Sequence, residues 1–204
     1  MDQAVIKNAP YLDFGLLREQ ADDIMRAHAG QDTQMRSALV GFLKPRVEEA
    51  RVLAQAKLEE DGDGRACAAG LSAFQDELIR LAYYFTTQHV YRAENPSTAE
   101  RMAIVAQGGY GRGLLAPGSD IDLLFLLPYK QTAWGESVAE FILYMLWDLG
   151  FRVGHAARTI SQCVRLSTAD MTIRTALLDS RLLLGDEKLF AEYLHRFRRE
   201  VLDV

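Results

Sequence analysis

The stretch from Ile121 to Leu127 constrains the fold most, because it is almost continuously apolar and ends at Pro128. A short apolar run of this kind is typical of a β-strand that is buried on both faces, since a half-exposed strand would alternate apolar and polar residues. Proline lacks the N–H that a strand ladder needs, so Pro128 favours the end of the strand. The run therefore predicts a central strand of a sheet.

The residues around this strand predict two further strands and several helices. Ile104 and its neighbours form a second short apolar run before a glycine pair, which favours another strand. Apolar residues at helical spacing from Val138 to Leu149 predict a helix, and the stretch from Phe151 to Ala157 predicts a third strand. After that strand we expect the chain to close in helices, the first with Thr159 and Gln162 at capping-box spacing and the last capped by Asp186.

The first hundred residues have the patterns of successive helices. Apolar residues recur at three- and four-residue steps from about Gly70 towards Tyr91, and this spacing predicts one helix with a buried face. In the preceding helical stretch, Pro45 lacks a backbone donor, so we expect two segments there. The sequence as a whole predicts an α+β fold in which a small mixed sheet is flanked by helices. We divide it into a helical N-terminal region, 1–100, and a core with C-terminal helices, 101–204, in one compact body.

The composition limits the function classes. The 204 residues carry a formal net charge of −5 and are 49% hydrophobic, which supports a globular core and argues against broad electrostatic binding to nucleic acid or anionic lipid. The only cysteines, Cys67 and Cys163, lack the spacing of a zinc site or a disulfide framework and suit a reducing cytoplasm. The apolar runs are too short to cross a bilayer, so we expect no membrane segment.

Two carboxylates, Asp120 and Asp122, stand at the start of the predicted central strand. Side chains alternate across a strand, so residues two apart project from the same face, close enough to share divalent ions. Two neighbouring carboxylates at the end of a buried strand repel each other unless a cation or hydrogen-bond donors compensate them. Because the ligands are oxygens, Mg²⁺ is the favoured ion.

A glycine-rich turn between the first two predicted strands adds a second chemical element. Gly108 and Gly109 allow backbone N–H groups to approach phosphate oxygens without obstruction by a Cβ atom. Arg112 supplies positive charge, and Ser119 offers a hydroxyl either to phosphate or to the turn itself. Neither a glycine turn nor a pair of aspartates two residues apart is specific alone, but their combination between two strands points to nucleotidyl transfer from a metal-bound nucleoside triphosphate.

The segment GGYGRGLLAPGSDIDLLFLL, from Gly108 to Leu127, resembles the polymerase-β-type nucleotidyltransferase superfamily. Within that superfamily it is similar to the N-terminal nucleotidyltransferase domain of the bifunctional PII uridylyltransferase/uridylyl-removing enzymes. The resemblance extends into WDLGFRVGHAART, from Trp147 to Thr159, and more loosely from Ala169 to Asp186.

This resemblance implies transfer of UMP from UTP to a tyrosine of the nitrogen-signalling protein PII, with release of pyrophosphate and dependence on Mg²⁺ or Mn²⁺. The metal-binding and catalytic roles then fall on Asp120 and Asp122. The nucleotide-binding role falls on Gly108 and Gly109, and Arg112 and Ser119 are candidates to support it.

Two departures from the family pattern leave alternatives open. Many superfamily members place a third carboxylate on a later strand, but Phe151 to Ala157 contains none, and His155 is its only ionisable residue near the end. A transferase for another nucleotide or acceptor, or an inactive nucleotide- or protein-binding module, therefore remains an alternative. The HD phosphohydrolase and ACT domains of the full family enzymes are not recognisable, so the chain is expected to be a fragment or a truncated relative.

Overall fold

The computed structural model of the chain describes Tyr11 and residues 13–92 and 100–203. Two compact units share these residues, and each is assembled from separate stretches of the chain. The first comprises Met1–Arg92, Gly113–Ser119 and Ile142–Phe151, and the second comprises Ala93–Arg112, Asp120–Phe141 and Arg152–Val204. The proposed division into 1–100 and 101–204 stays a prediction.

The first unit is built mainly from three helices: α1 (Phe14–Ala27), α2 (Asp32–Asp61) and α3 (Gly64–Phe85). A π-helical turn, Thr86–Val90, continues α3. The helical character that the sequence predicts for the N-terminal region is thus confirmed for 13–92. Residues 1–10, 12 and 93–99 of that region lie outside the described residues.

The expected division at Pro45 is wrong, because α2 runs through the proline as one helix of 30 residues. Proline removes only the donor to the carbonyl four residues earlier, and the Arg46 guanidinium donates to the next carbonyl, that of Phe42, at 2.7 Å. A continuous buried stripe passes the proline on the opposite side of the helix, and its burial outweighs one lost backbone bond. The stripe consists of Met35, Leu39, Leu43, Val47, Ala50 and Ala54.

The second unit contains a four-stranded mixed sheet in the order β3-β2-β1-β4. Its strands are β1 (Ala103–Ala106), β2 (Ile121–Leu127), β3 (Val153–Thr159) and β4 (Arg181–Gly185). Strand β1 is antiparallel to both neighbours, whereas β2 and β3 are parallel. The α+β fold with a small mixed sheet is therefore confirmed, with β2 as an inner strand.

Among the described residues of the second unit, five α-helices accompany the strands: α4 (Gly108–Gly111), α5 (Ala133–Asp148), α6 (Ile160–Ala169), α7 (Met171–Leu178) and α8 (Glu187–Phe197). A π-helical turn, Arg198–Leu202, follows α8. The parallel strands need a crossover connection, which α5 supplies. Helix α5 begins in the second unit and ends in the first. The predicted caps are confirmed: Thr159 and Gln162 form a capping box at α6, and Asp186 accepts from Leu189 N at 2.8 Å.

Two expectations about the strands need correction. The third strand begins and ends two residues later than predicted. The chain also does not close in helices alone, because Arg181–Gly185 forms the edge strand β4 against β1. This strand has only five residues, and its leucines continue the apolar pattern of the helices on either side, so its pairing with β1 decides the conformation.

One face of the sheet packs against α6, α7 and α8. The buried residues of this core are Ala103, Val105, Leu124, Leu126, Ile160, Cys163, Val164, Leu177, Leu189, Tyr193, Phe197 and Val201. Residues 123–127 of β2 are buried without interruption, which confirms its predicted burial on both faces. Both cysteines are free thiols in buried positions. In the part of the chain that the structure describes, every helix is too short or too polar to span a bilayer.

Candidate active site

The glycine turn after β1 and the two carboxylates at the start of β2 lie at the same edge of the sheet. The end of β1 and the starts of its two neighbours meet there because β1 is antiparallel to both β2 and β4. The parallel strand β3 starts at the same edge. All of these segments belong to the second unit. The topology thus brings the glycine turn after β1 next to the carboxylates at the start of β2.

Asp122 is the second residue of β2 and the only exposed residue in that strand. Its carboxylate lies between two glycines: a Cβ atom built on Gly154 would be 2.4 Å from Asp122 Oδ1, and one built on Gly108 would be 3.5 Å from Oδ2. Partial burial raises the pKa of Asp122 above its usual value, and the negative charge of Asp120 raises it further. The charge of Asp120 therefore destabilises the ionised form of Asp122, which is the electrostatic setting that a divalent cation relieves.

Asp120 directly precedes β2 and forms an ion pair with Arg152, in which Nε lies 2.8 Å from Oδ1. The Arg152 side chain is 74% exposed and the Asp120 side chain 58%, so the ion pair contributes little to stability. Arg152 supplies positive charge beside a carboxylate that we expect to bind metal. Within the described residues, no group of three or more His, Cys, Asp and Glu side chains is arranged to hold a metal ion.

The glycine turn forms the four-residue helix α4, which starts directly after Gln107. Gly108 has a φ of +57°, a backbone conformation that residues with a Cβ atom rarely adopt. The Arg181 guanidinium, from the start of β4, donates to the carbonyls of Tyr110 and Gly111 at 3.2 and 3.3 Å. Gly111 packs so closely that an added Cβ would be 1.6 Å from the backbone oxygen of Asp179. The turn is therefore fixed by the strand that sequence reasoning missed.

The other predicted site residues have different settings. Arg112, proposed to support phosphate binding, is paired with Asp179, with Nη1 2.6 Å from Oδ2. Ser119 lies in the loop before Asp120, where its backbone N–H donates to Ala116 O at 3.0 Å, and the role of its hydroxyl stays a prediction. His155 is in register with Leu123, so it lies on the opposite face of the sheet from Asp122.

Three residues around Asp122 were not singled out from the sequence. Gly154 is its register partner on β3, Gln107 directly follows β1 and donates its backbone N–H to Asp122 O, and Arg181 fixes the glycine turn. Gly154 and Gln107 become neighbours of Asp122 only through strand pairing, and the signal that could have found them is the register of the predicted strands. Gly154 also occupies the place on β3 where a third carboxylate would face Asp122.

Comparisons with known proteins agree with this arrangement. Residues 93–179 match the nucleotidyltransferase domain family. The chain is 55% identical over 181 residues to the bifunctional uridylyltransferase/uridylyl-removing enzyme of a Bradyrhizobium strain, which covers 89% of this chain and 19% of that enzyme. The enzyme of the same name from Rhodopseudomonas palustris is 54% identical over 176 residues, covering 86% of this chain and 19% of the relative. That from Phenylobacterium zucineum is 52% identical over 186 residues, covering 91% and 20%.

The chain thus spans about one fifth of the length of these relatives. The family match contains both carboxylates, the glycine turn and Gly154. Strand topology, site geometry and sequence similarity lead to the same conclusion: residues 93–179 contain a nucleotidyltransferase domain, and the chain is similar to a part of the bifunctional uridylyltransferase/uridylyl-removing enzymes.

Proposed function

We propose that the chain transfers UMP from UTP to a tyrosine of a PII-type signalling protein and releases pyrophosphate. The observation that carries this proposal is the position of Asp122, which lies between Gly108 and Gly154 with a pKa raised by partial burial and by Asp120. A carboxylate pair beside a phosphate-approachable glycine turn is the arrangement that nucleotidyl transfer requires. The relatives are named as uridylyltransferases, which supports UTP as the nucleotide.

The carboxylates fit a divalent metal by their donor chemistry. Both ligands are oxygens, as Mg²⁺ and Mn²⁺ prefer, and the charge of one opposes ionisation of the other in the free protein. Asp120 and Asp122 would hold the ion. When bound, the ion lowers the negative charge on the α-phosphate and on the departing pyrophosphate.

The remaining groups orient the nucleotide. Gly108 and Gly109 would offer their N–H groups to phosphate oxygens, because a glycine has no Cβ atom to obstruct the approach. Arg152 stands beside Asp120, where its guanidinium can pass from the carboxylate to a phosphate oxygen. Arg112 and Ser119 stay candidates for the same role, Arg112 only if it leaves Asp179.

The reaction balances as a single displacement. The tyrosine oxygen attacks the α-phosphorus, the bond to pyrophosphate breaks, and the phenolic proton leaves to a base. An unperturbed phenol has a pKa of about 10, so its deprotonation must accompany the attack.

The test is incubation of the chain with UTP labelled at the α-phosphate, Mg²⁺ and a PII protein. Label on the PII tyrosine is expected, and no label under conditions where a full-length relative works would refute the activity for this chain. Thermal shifts with UTP, ATP, CTP and GTP in the presence of Mg²⁺ test the base. Equal shifts would remove the reason to prefer UTP, and nucleotide binding without pyrophosphate release would favour a binding module.

A further inference from the structure

Gln107 is a buried polar residue whose side chain the fold itself does not use. It is only 7% exposed, and its backbone is fully bonded, with N–H to Asp122 O at 3.0 Å and the carbonyl to Gly111 N–H at 2.9 Å. Its amide nitrogen Nε2 has no hydrogen-bond partner among the described residues, and the side chain does not cap α4. A buried donor without a partner is costly, so its retention needs a reason.

The strand register shows where this amide belongs. Pairing of β1 with β2 continues to Gln107 opposite Asp122, as the bond between their backbones shows. Asp122 is in turn in register with Gly154 on β3. Residues opposite each other on paired strands share one face, so these three form a row across the sheet. The next row inward, Val105, Leu124 and Ala156, is apolar and belongs to the core.

The missing partner is not Asp122 itself. The two side chains are neighbours in one row, and a hydrogen bond between them would satisfy the amide, yet the amide is unbonded. The carboxylate instead is placed in the space that Gly154 leaves open. The Gln107 Nε2 atom is buried and, among the described residues, unbonded, so an oxygen from outside the protein reaches it only when the side chain turns towards the glycine turn and the carboxylates.

We propose that Gln107 is a nucleotide-binding residue whose amide donates a hydrogen bond to a phosphate oxygen of the bound nucleotide. This inference rests on the proposed function, because it takes the nucleotide from there. A phosphate oxygen is the acceptor that fits, since Gly108, whose N–H the proposed function assigns to a phosphate oxygen, follows Gln107 directly. The carboxylates repel the phosphates, and the amide would add an attractive contact beside them without adding negative charge.

The test uses Gln107→Met, which keeps the length of the side chain and removes the donor. The matched control is Gln75→Met in α3, since Gln75 is 1% exposed and its Nε2 also has no partner among the described residues. Both changes remove an unpaired buried amide, so both variants should unfold at the wild-type temperature or above. Dissociation constants are measured by calorimetry for UTP with Mg²⁺ and for inorganic tripolyphosphate with Mg²⁺.

We expect Gln107→Met to weaken both ligands by roughly 10- to 100-fold, and Gln75→Met to change neither by more than about twofold. Equal weakening of tripolyphosphate shows that the contact is to phosphate. Wild-type affinity in Gln107→Met, or equal losses in both variants, would overturn the inference and leave the proposed function standing. If Gln107→Met does not fold, Gln107→Glu applies the same test with a repelling charge. If the wild type binds no nucleotide, the proposed function and this inference both fail.

Discussion

Replacing Gly154 by alanine tests whether the position of the Asp122 carboxylate controls transfer. The new Cβ atom would be 2.4 Å from Asp122 Oδ1, whereas ordinary contacts of this kind are 3.4 Å or longer. The carboxylate must therefore move by about 1 Å, and a displacement of that size at a reacting centre costs on the order of 100-fold in rate. We expect kcat/KM for transfer of labelled UMP to fall by about that factor.

Stability should hardly change, because Gly154 and Asp122 both lie at the exposed edge, where the carboxylate can rotate away from the new methyl group. Gly41→Ala in α2 is the matched control, since an added Cβ there meets no atom within 4 Å. That variant should keep full activity and gain up to about 1 kcal/mol of stability. The measurements are initial rates and thermal unfolding of both variants.

A double variant separates the proposed cause from a general disturbance of β3. If Gly154→Ala acts through Asp122, adding it to Asp122→Asn should produce almost no further loss, because both changes affect the same group. Wild-type kcat/KM in Gly154→Ala would refute the reasoning, as would losses that simply multiply in the double variant.

Three further changes have expected outcomes. An added Cβ on Gly109 would make only ordinary contacts, so Gly109→Ala should fold normally and bind UTP about tenfold more weakly, as measured by calorimetry. In Gly111→Ala the Cβ would be 1.6 Å from the Asp179 backbone oxygen, so urea unfolding should show a loss of about 3 kcal/mol or more of stability. Weak binding without loss of stability in Gly111→Ala, or an unstable Gly109→Ala, would contradict these expectations. The Arg101 guanidinium lowers the pKa of Asp186 from 3.8 to about 2, so this carboxylate stabilises the fold above pH 4 and loses its contribution as the pH falls towards 2. Asp186→Asn should therefore lower the free energy of unfolding by about 1 kcal/mol at pH 7, allowing for solvent screening. The difference in unfolding free energy between variant and wild type, measured with urea, should be smaller at pH 3. A difference that stays constant with pH would exclude the ion pair with Arg101 as its cause.

The local elements could be predicted where the sequence carries its own boundaries. Strand β2 has the predicted bounds because an apolar run ends at proline, and the cap at Thr159 follows from the short-range pattern with Gln162. The predicted division of α2 at Pro45 was wrong because the burial of a long apolar stripe on the helix outweighs one missing backbone hydrogen bond. Strand β4 was missed because five apolar residues between helices become a strand only by pairing with a distant partner.

The candidate site divides in the same way. Asp120, Asp122 and the glycine turn are recognisable because their chemistry and spacing lie within one short segment. Gly154 and Gln107 acquire their meaning from the register of β3 and β1 on β2, which spacing along the chain does not give. An amide and a glycine carry little chemical signal alone, and only their position beside a carboxylate makes them informative.

The central claim is that the two carboxylates at the start of β2 carry the transfer of UMP. The most direct measurement replaces Asp120 and Asp122 together by asparagine and compares label transfer from UTP to PII with that of the wild type. The account predicts that the variant keeps the wild-type unfolding temperature or exceeds it, because a repulsive pair is removed, while transfer falls below detection. A folded double variant that transfers UMP at the wild-type rate would contradict the account.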